Sequence, residues 1–172
     1  MGMKQRIKQW VMTLEIIDYD DKYNDDMIDL LVELQEYISE IDREHYNILT
    51  KEYREKYFEK TLNAVNKYAG KIFLARENEK VVGLIVGIIN NENEDTYDFR
   101  VPKRGRVTEL VVSKNFQSKG IGQQLLDKME SYFKEVGCKG VLIDVFAYNV
   151  HAQKFYDKNG YFNRSIEIMK KI

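Results

Sequence analysis

The sequence predicts a mixed α/β (α+β) domain, a central mixed sheet with helices on both faces. Apolar residues recur with a period of two in short β-branched runs and with three-four spacing in longer ones. The two kinds of run interleave in the order β, α, α, β, β, β, α, β, α, β, the pattern of helices layered on a partly antiparallel sheet. Residues 107–147 read as strand, glycine-containing turn, helix and strand, a unit expected to form a right-handed parallel crossover. At 172 residues, 44% hydrophobic and 32% charged, the chain suits one domain spanning 1–172 with a sizeable core. No internal repeat or low-complexity run divides it.

Residues 1–10 carry no clear period and are expected to be a loose tail or a short helix. Val11 to Ile17 reads as the first strand, with apolar residues at 12, 14 and 16 alternating with Thr13 and Glu15. A polar stretch leads into a helix whose Met27, Leu30, Leu31, Leu34, Ile38 and Ile41 share one face. A second helix is predicted from about Lys51 to Tyr68, presenting Tyr53, Tyr57, Thr61, Leu62, Val65 and Tyr68, with Gly70 ending it. Lys71 to Arg76 and Val81 to Ile89 form a predicted hairpin across the turn Glu77-Asn78-Glu79-Lys80. Within its second strand Gly83 and Gly87 signal a bulge or the close approach of another backbone. Residues 90–103 make a long acidic loop. The strand to Val112 follows, then a helix with the stripe Ile121, Leu125, Leu126, Met129, Phe133 and Val136 closed by Gly137. Val141 to Ala147 is the next strand; Asn149 caps a helix to about Asn159, stopped by Gly160, and Ile166 to Lys171 is read as a last strand.

Charge and cysteine content exclude several function classes. Lys and Arg number 27 against 28 Asp and Glu, a net charge of −1, which offers no general attraction to nucleic acid or anionic lipid. Cys138 is the single cysteine, so no intrachain disulfide or cysteine-cluster metal site can form. With His45 and His151 far apart, a zinc site, and metal binding in general, is not expected. No apolar run approaches the ~20 residues that span a membrane, and the start lacks the apolar core of a signal peptide. A cytoplasmic protein without membrane attachment is the expectation.

The chemistry is concentrated between Val107 and Gly122. An apolar strand ends at Val112, a polar turn follows, and Gly120 and Gly122 open a helix. A helix start has backbone N–H groups without intrahelical partners and the positive end of the macrodipole, so phosphate is its natural guest. Glycine there lets the backbone approach an anion. Two familiar phosphate loops fit poorly: Leu125 stands where a dinucleotide fingerprint needs a third glycine, and Lys119 precedes the glycine that a Walker lysine would follow.

Gln117-x-x-Gly120-x-Gly122, after the strand Glu109-Leu110-Val111-Val112, resembles the acyl-CoA loop of the GNAT superfamily of N-acetyltransferases. Asn149, Ala152, Phe155, Tyr156, Gly160 and Tyr161 resemble that superfamily's Asn-x-x-Ala-x-x-x-Tyr-x-x-x-Gly-Phe segment, with Tyr161 in place of Phe. The resemblance is specific over 107–162 and architectural elsewhere. It implies a GNAT-like acyl-CoA N-acyltransferase fold. The implied donor is acetyl-CoA, used as an acyl-donor substrate. Gln117, Ser118, Lys119, Gly120, Ile121 and Gly122 would hold the CoA pyrophosphate, and Leu110, Val111 and Val112 the pantetheine arm. Asn149 would be both helix cap and CoA contact, and Tyr156 the acid that protonates the departing thiolate.

The remaining step needs a base, because an alkyl ammonium with a pKa near 10.4 is almost wholly charged at neutral pH. Glu109 is the candidate, acting through burial or a relaying water; a strand residue paired across the sheet is the other reading. His151, in the first turn of the last helix, has a suitable pKa class but is expected to face solvent. Between residues 18 and 44 eleven acidic residues face two basic ones, either as a solvated helix face or as a negative funnel for a cationic amine. If the region joining the first two helices lines the acceptor site, as the resemblance implies, Asp42, Glu44, His45 and Tyr46 lie near the substrate. The expected function is transfer of an acetyl group to a primary amine of a small molecule or protein by direct attack. A non-catalytic CoA-binding regulatory module on the same fold and a nucleotide-binding protein of another fold are the alternatives. A homodimer through an exposed strand edge near the C-terminus is left open.

Overall fold

A computed structural model describes residues 13–90 and 102–172. The expectations for residues 1–12 and for most of the 90–103 loop therefore lie outside the described residues. The elements are β1 Leu14–Asp18, α1 Asn24–Ile41, α2 Tyr53–Lys67, β2 Lys71–Glu77, β3 Lys80–Asn90, β4 Arg104–Val112, α3 Ile121–Glu135, β5 Val141–Ile143 and α4 Val150–Lys158. Among the described residues the strands form one sheet in the order β1-β2-β3-β4-β5, antiparallel except for the parallel pair β4 and β5. The mixed α/β class follows as predicted.

The two faces of the sheet carry separate cores. One packs Phe73, Ala75, Val82, Ile85, Ile89 and Val107 against Ile121, Leu125, Leu126, Met129 and Phe133 of α3, with Phe155, Tyr156 and Tyr161 at its margin. The other packs Ile72, Leu74, Leu84, Val86 and Val111 against Met27, Leu30 and Leu31 of α1, with Tyr57, Phe58, Leu62 and Val65 of α2 beside them. The three-four periodicity of α1 and α3 thus names the helix faces that are buried.

β2 and β3 join through Asn78 and Glu79, both at positive φ (48° and 68°), the conformation that lets a two-residue hairpin follow strand twist. Gly83 and Gly87 each adjoin a break in strand register. Ala75 pairs Gly83 but Arg76 pairs Val81, which leaves Val82 as an extra residue in β3. Val86 pairs Glu109 but Gly87 pairs Val107, which leaves Thr108 as an extra residue in β4. A side chain at Gly87 would lie 2.5 Å from Met129 Sδ and 2.6 Å from the Phe133 ring, so glycine there also sets how closely α3 approaches the sheet.

Two expectations are corrected. β5 stops at Ile143 rather than Ala147, because only Val141, Leu142 and Ile143 find partners on β4. The predicted last strand, Ile166 to Lys171, is not a strand: residues 162–172 are exposed, with Ile166 and Ile168 at 79% and 90%. Alternating apolar residues become a strand only against an edge, and β5 offers three residues of one. Gly70 follows α2 as expected, but Ala69 takes the left-handed backbone (φ 44°). Gly70 is needed because a Cβ there would sit 2.5 Å from the Gly87 carbonyl oxygen.

Candidate active site

β4 and β5 lie side by side only from Gly105 to Val107, and β4 then runs on alone to Val112. On the far side it stays paired with β3, where Ser113 N–H donates to Val82 O at 2.9 Å. Backbone groups alternate along an antiparallel strand, so Glu109 and Val111 also bond toward β3, while the N–H and C=O of Leu110 and Val112 open on the side β5 has left. Among the three strand residues expected to meet the pantetheine arm, Leu110 therefore offers a free-edge N–H and C=O, Val112 its N–H alone because its C=O accepts from Gln117 Nε2, and Val111 neither.

The glycine loop stands at the end of this open edge. Gln117 donates from Nε2 to Val112 O at 2.9 Å, tying the loop to the strand. Ser118 (φ 63°) and Gly120 (φ 79°) are both left-handed and flank Lys119, a form of turn that gathers N–H groups into an anion-binding concavity. The first helical bond of α3 is Gln124 N–H to Gly120 O at 3.2 Å, so the N–H groups of Ile121, Gly122 and Gln123 precede the ladder. Gly122 has no internal reason to be glycine: a Cβ there meets nothing nearer than 3.8 Å. A cradle that a Cβ would fill, beside free N–H donors, fits a phosphate group. The Lys119 ammonium lies over the Phe116 ring at 4.8 Å, at the rim.

Asn149 caps α4, its Oδ1 accepting from Ala152 N–H at 3.0 Å, and the same oxygen accepts from Tyr37 OH of α1 at 3.1 Å. Gly160 takes φ 80° past the end of the helix. Tyr156 lies between Phe155 and Tyr161, edge to face with both at 5.1 and 5.4 Å. No hydrogen bond occupies its hydroxyl among the described residues, and burial pushes it up to about 12. It stays protonated at neutral pH.

Glu109 is 7% exposed. Tyr57 OH donates to its Oε1 at 2.8 Å, and Thr108 Oγ1 donates to its Oε2. Burial raises its pKa; the Thr108 and Tyr57 hydrogen bonds and the Lys60 charge oppose the rise. The sequence had no signal for these partners: Tyr57 reads as one more apolar-face residue of α2. Glu109 and Tyr156 belong to opposite faces of the sheet, and the open edge of β4 is where those faces meet.

Acidic residues of the 18–44 stretch are engaged at several separate places. Asp29 pairs with Arg54 at 2.7 Å and Asp18 with Lys71 at 3.6 Å. Asp20 and Glu33 accept from the N–H groups of Lys22 and Lys114. Asp42 holds the loop after α1 by accepting from the N–H groups of Glu44, Tyr46 and Asn47 and from the Asn47 amide. Glu44 accepts from Tyr148 OH at 2.9 Å, which joins that loop to the approach to α4. His45, Tyr46 and His151 are exposed. A concavity of about 440 Å³ lies at the other end of α3, lined by residues such as Glu130, Ser131, Lys134 and Cys138, and holds none of the expected site residues.

The model of the acetyltransferase (GNAT) family matches residues 31–161. An uncharacterized N-acetyltransferase of Methanocaldococcus jannaschii is 29% identical over 100 residues, 58% of this chain and 57% of that protein. A Bacillus subtilis subsp. natto protein named as a probable spermine N1-acetyltransferase is 27% identical over 104 residues, 58% of this chain and 64% of that protein. The matches thus span less than two thirds of either relative's own length. Among solved structures, an aminoglycoside N-acetyltransferase in complex with CoA superposes with a TM-score of 0.70 at 14% identity, covering 94% of this chain and 95% of that one.

Proposed function

The chain belongs to the GNAT acetyltransferase family, and from that premise we propose that it moves an acetyl group from acetyl-CoA to a primary amine of a small molecule or protein by direct attack. The observation that carries this reading is the open edge of β4 leading to an uncrowded, glycine-lined helix start. The free edge suits an extended amide-containing arm, and the helix start suits a pyrophosphate. The CoA complex of a protein with this fold supports the same donor.

In this reading the donor lies along Leu110 to Val112, with Gln117, Ser118, Lys119, Gly120, Ile121 and Gly122 around its phosphates and Asn149 at its flank. Glu109 takes the ammonium proton through a water. A carboxylate raised by burial is a better base toward an amine than an exposed one, so its environment narrows the gap in basicity. The freed nitrogen lone pair attacks the thioester carbonyl, whose oxygen is met by the Leu110 N–H. Tyr156 gives its proton to the departing sulfur. The burial that makes Tyr156 a weak acid also raises the basicity of a thiolate formed beside it, which brings the two groups closer.

The acceptor is left at the level of a primary amine. At least six of the eleven acidic residues between 18 and 44 are engaged within the protein, at separate sites from β1 to the loop after α1. Spermine, the substrate in the name of the B. subtilis relative, is the first amine to try. The test is calorimetric titration with acetyl-CoA, with NAD and ATP as controls, followed by thiol release across a panel of amines. Saturable one-to-one binding of acetyl-CoA with amine-dependent thiol release is expected. Binding without release from any amine would favour a regulatory CoA-binding module, and no acetyl-CoA binding by folded protein would sink both readings.

A further inference from the structure

Glu109 is held by more than its strand. Both carboxylate oxygens accept from hydroxyls, Oε1 from Tyr57 at 2.8 Å and Oε2 from Thr108, the extra residue of the β4 bulge. Tyr57 is itself fixed: its ring stacks on Tyr53 with centroids 4.7 Å apart and planes 14° from parallel, and the Lys60 ammonium lies 5.4 Å from its centroid. Burying a carboxylate costs more than burying an apolar residue of its size, even when it is hydrogen-bonded. Its partner across the sheet is Val86, and the face it shares carries the apolar cluster of Leu84, Leu30, Leu31 and Met27. A chain that only had to fill this space had no reason to keep a carboxylate and two hydroxyls there.

Resting on the reading of Glu109 as the base, we infer that Tyr57 is a positioning residue for deprotonation of the acceptor amine: its hydroxyl, with that of Thr108, engages one lone pair on each carboxylate oxygen and leaves the others aimed at the proton the amine gives up. The proton passes from the ammonium nitrogen through one water to a Glu109 oxygen. The nitrogen lone pair then forms the C–N bond as the C–S bond breaks, the departing sulfur takes the Tyr156 proton, the second nitrogen proton restores the Tyr156 phenol through solvent, and Glu109 returns its own proton to solvent after the product leaves.

The sign of the effect follows from the balance at the carboxyl. Burial favours the neutral form; the Thr108 and Tyr57 hydroxyls and the Lys60 charge favour the ionised one. The titratable groups facing Glu109 are Tyr53, Tyr57 and Lys60, all from α2. From β3 its partner is Val86, and α1 presents Met27, Leu30 and Leu31. Loss of the Tyr57 hydroxyl leaves burial less opposed and moves Glu109 further up.

Tyr57→Phe keeps the ring and its stacking and removes only the donor. The Glu109 carboxyl is followed by 13C NMR titration, its signal assigned by its loss in Glu109→Gln, and kcat/KM is measured against pH for the amine that releases thiol fastest. In Tyr57→Phe the titration midpoint and the acid limb of kcat/KM should both rise by about half to one pH unit. On the acid limb that is roughly a three- to tenfold loss, with wild-type rates recovered above the limb and acetyl-CoA affinity unchanged. Thr108→Val should move both the same way, and it carries the test if Tyr57→Phe does not fold. An unmoved midpoint, or an equal loss at every pH as a packing role would give, overturns the inference. A midpoint that moves while the kinetic limb does not, a Glu109→Gln protein with the wild-type profile, or the absence of any amine that releases thiol overturns the base reading, and the inference with it.

Discussion

Gly122 and Gly105 are both glycines near the sheet, yet substitution at each should move stability and binding differently. A Cβ at Gly122 meets Phe155 Cζ and Val112 Cγ2 at 3.8 Å, ordinary contact, in the first turn of α3. Alanine there costs no repacking and gains helix propensity, up to about 1 kcal/mol, worth roughly 2–4 °C in Tm for a chain of this size. If phosphate occupies the space, the methyl group displaces it from the N–H donors. Loss of one charge-assisted hydrogen bond is about 1.5–3 kcal/mol, or roughly a ten- to hundredfold rise in Kd. At Gly105 a Cβ would lie 2.4 Å from the Phe133 ring, so alanine should cost about 1–3 kcal/mol by overpacking and leave acetyl-CoA affinity of the folded fraction unchanged. Thermal unfolding by circular dichroism without ligand and calorimetric titration with acetyl-CoA separate the two. Gly122→Ala that is stabilised and still binds acetyl-CoA as tightly as the parent would refute the phosphate cradle.

Tyr156→Phe should keep acetyl-CoA affinity and lower turnover, by about two to four orders of magnitude if the phenol supplies the proton; equal turnover in steady-state thiol release removes Tyr156 from the mechanism. Asn149→Ala should cost about 0.5–2 kcal/mol through loss of the α4 cap, read as a lower urea midpoint, and should also weaken acetyl-CoA binding if the side chain touches the donor. Asp42 titrates at about 2, held below the ordinary carboxylate range first by the Asn47 side-chain amide. Because its folded pKa is depressed, its contribution is complete above about pH 4 and is lost as the pH falls toward 2. Asp42→Asn should therefore be less stable at neutral pH and lose less stability across that acid window, measured by urea unfolding at a series of pH values.

The buried faces of α1 and α3 were legible because a helix buried on one side must repeat its apolar residues every three or four positions, and Met27, Leu30, Leu31, Leu125, Leu126 and Met129 do. The glycine loop was legible because its left-handed turn and helix start depend on local backbone chemistry. Strand ends were not. Val141 to Ala147 and Ile166 to Lys171 have strand-like residues, but a strand extends only as far as its neighbour, and β4 turns from β5 after Val107. The roles of the hydroxyls were also hidden: Tyr57 and Glu109 are 52 positions apart in sequence and meet only because α2 lies across β4.

The bulge at Thr108 ties these features together. Strict alternation would put Val107, Glu109 and Val111 on one face. Instead Val107 packs with Phe133 and α3, while Val111 packs with α1 on the other side. The extra residue exchanges the faces of everything that follows it. It turns Glu109 toward Tyr57, supplies the Thr108 hydroxyl to the same carboxylate, and sends the backbone of Leu110 out over the edge that β5 vacates. One inserted residue therefore sets the carboxylate on the α2 side and the free N–H on the edge beyond β5. The sequence sign of that arrangement lies in the neighbouring strand: Gly87, opposite the bulge, is where the absent side chain lets Met129 and Phe133 close over the distorted ladder.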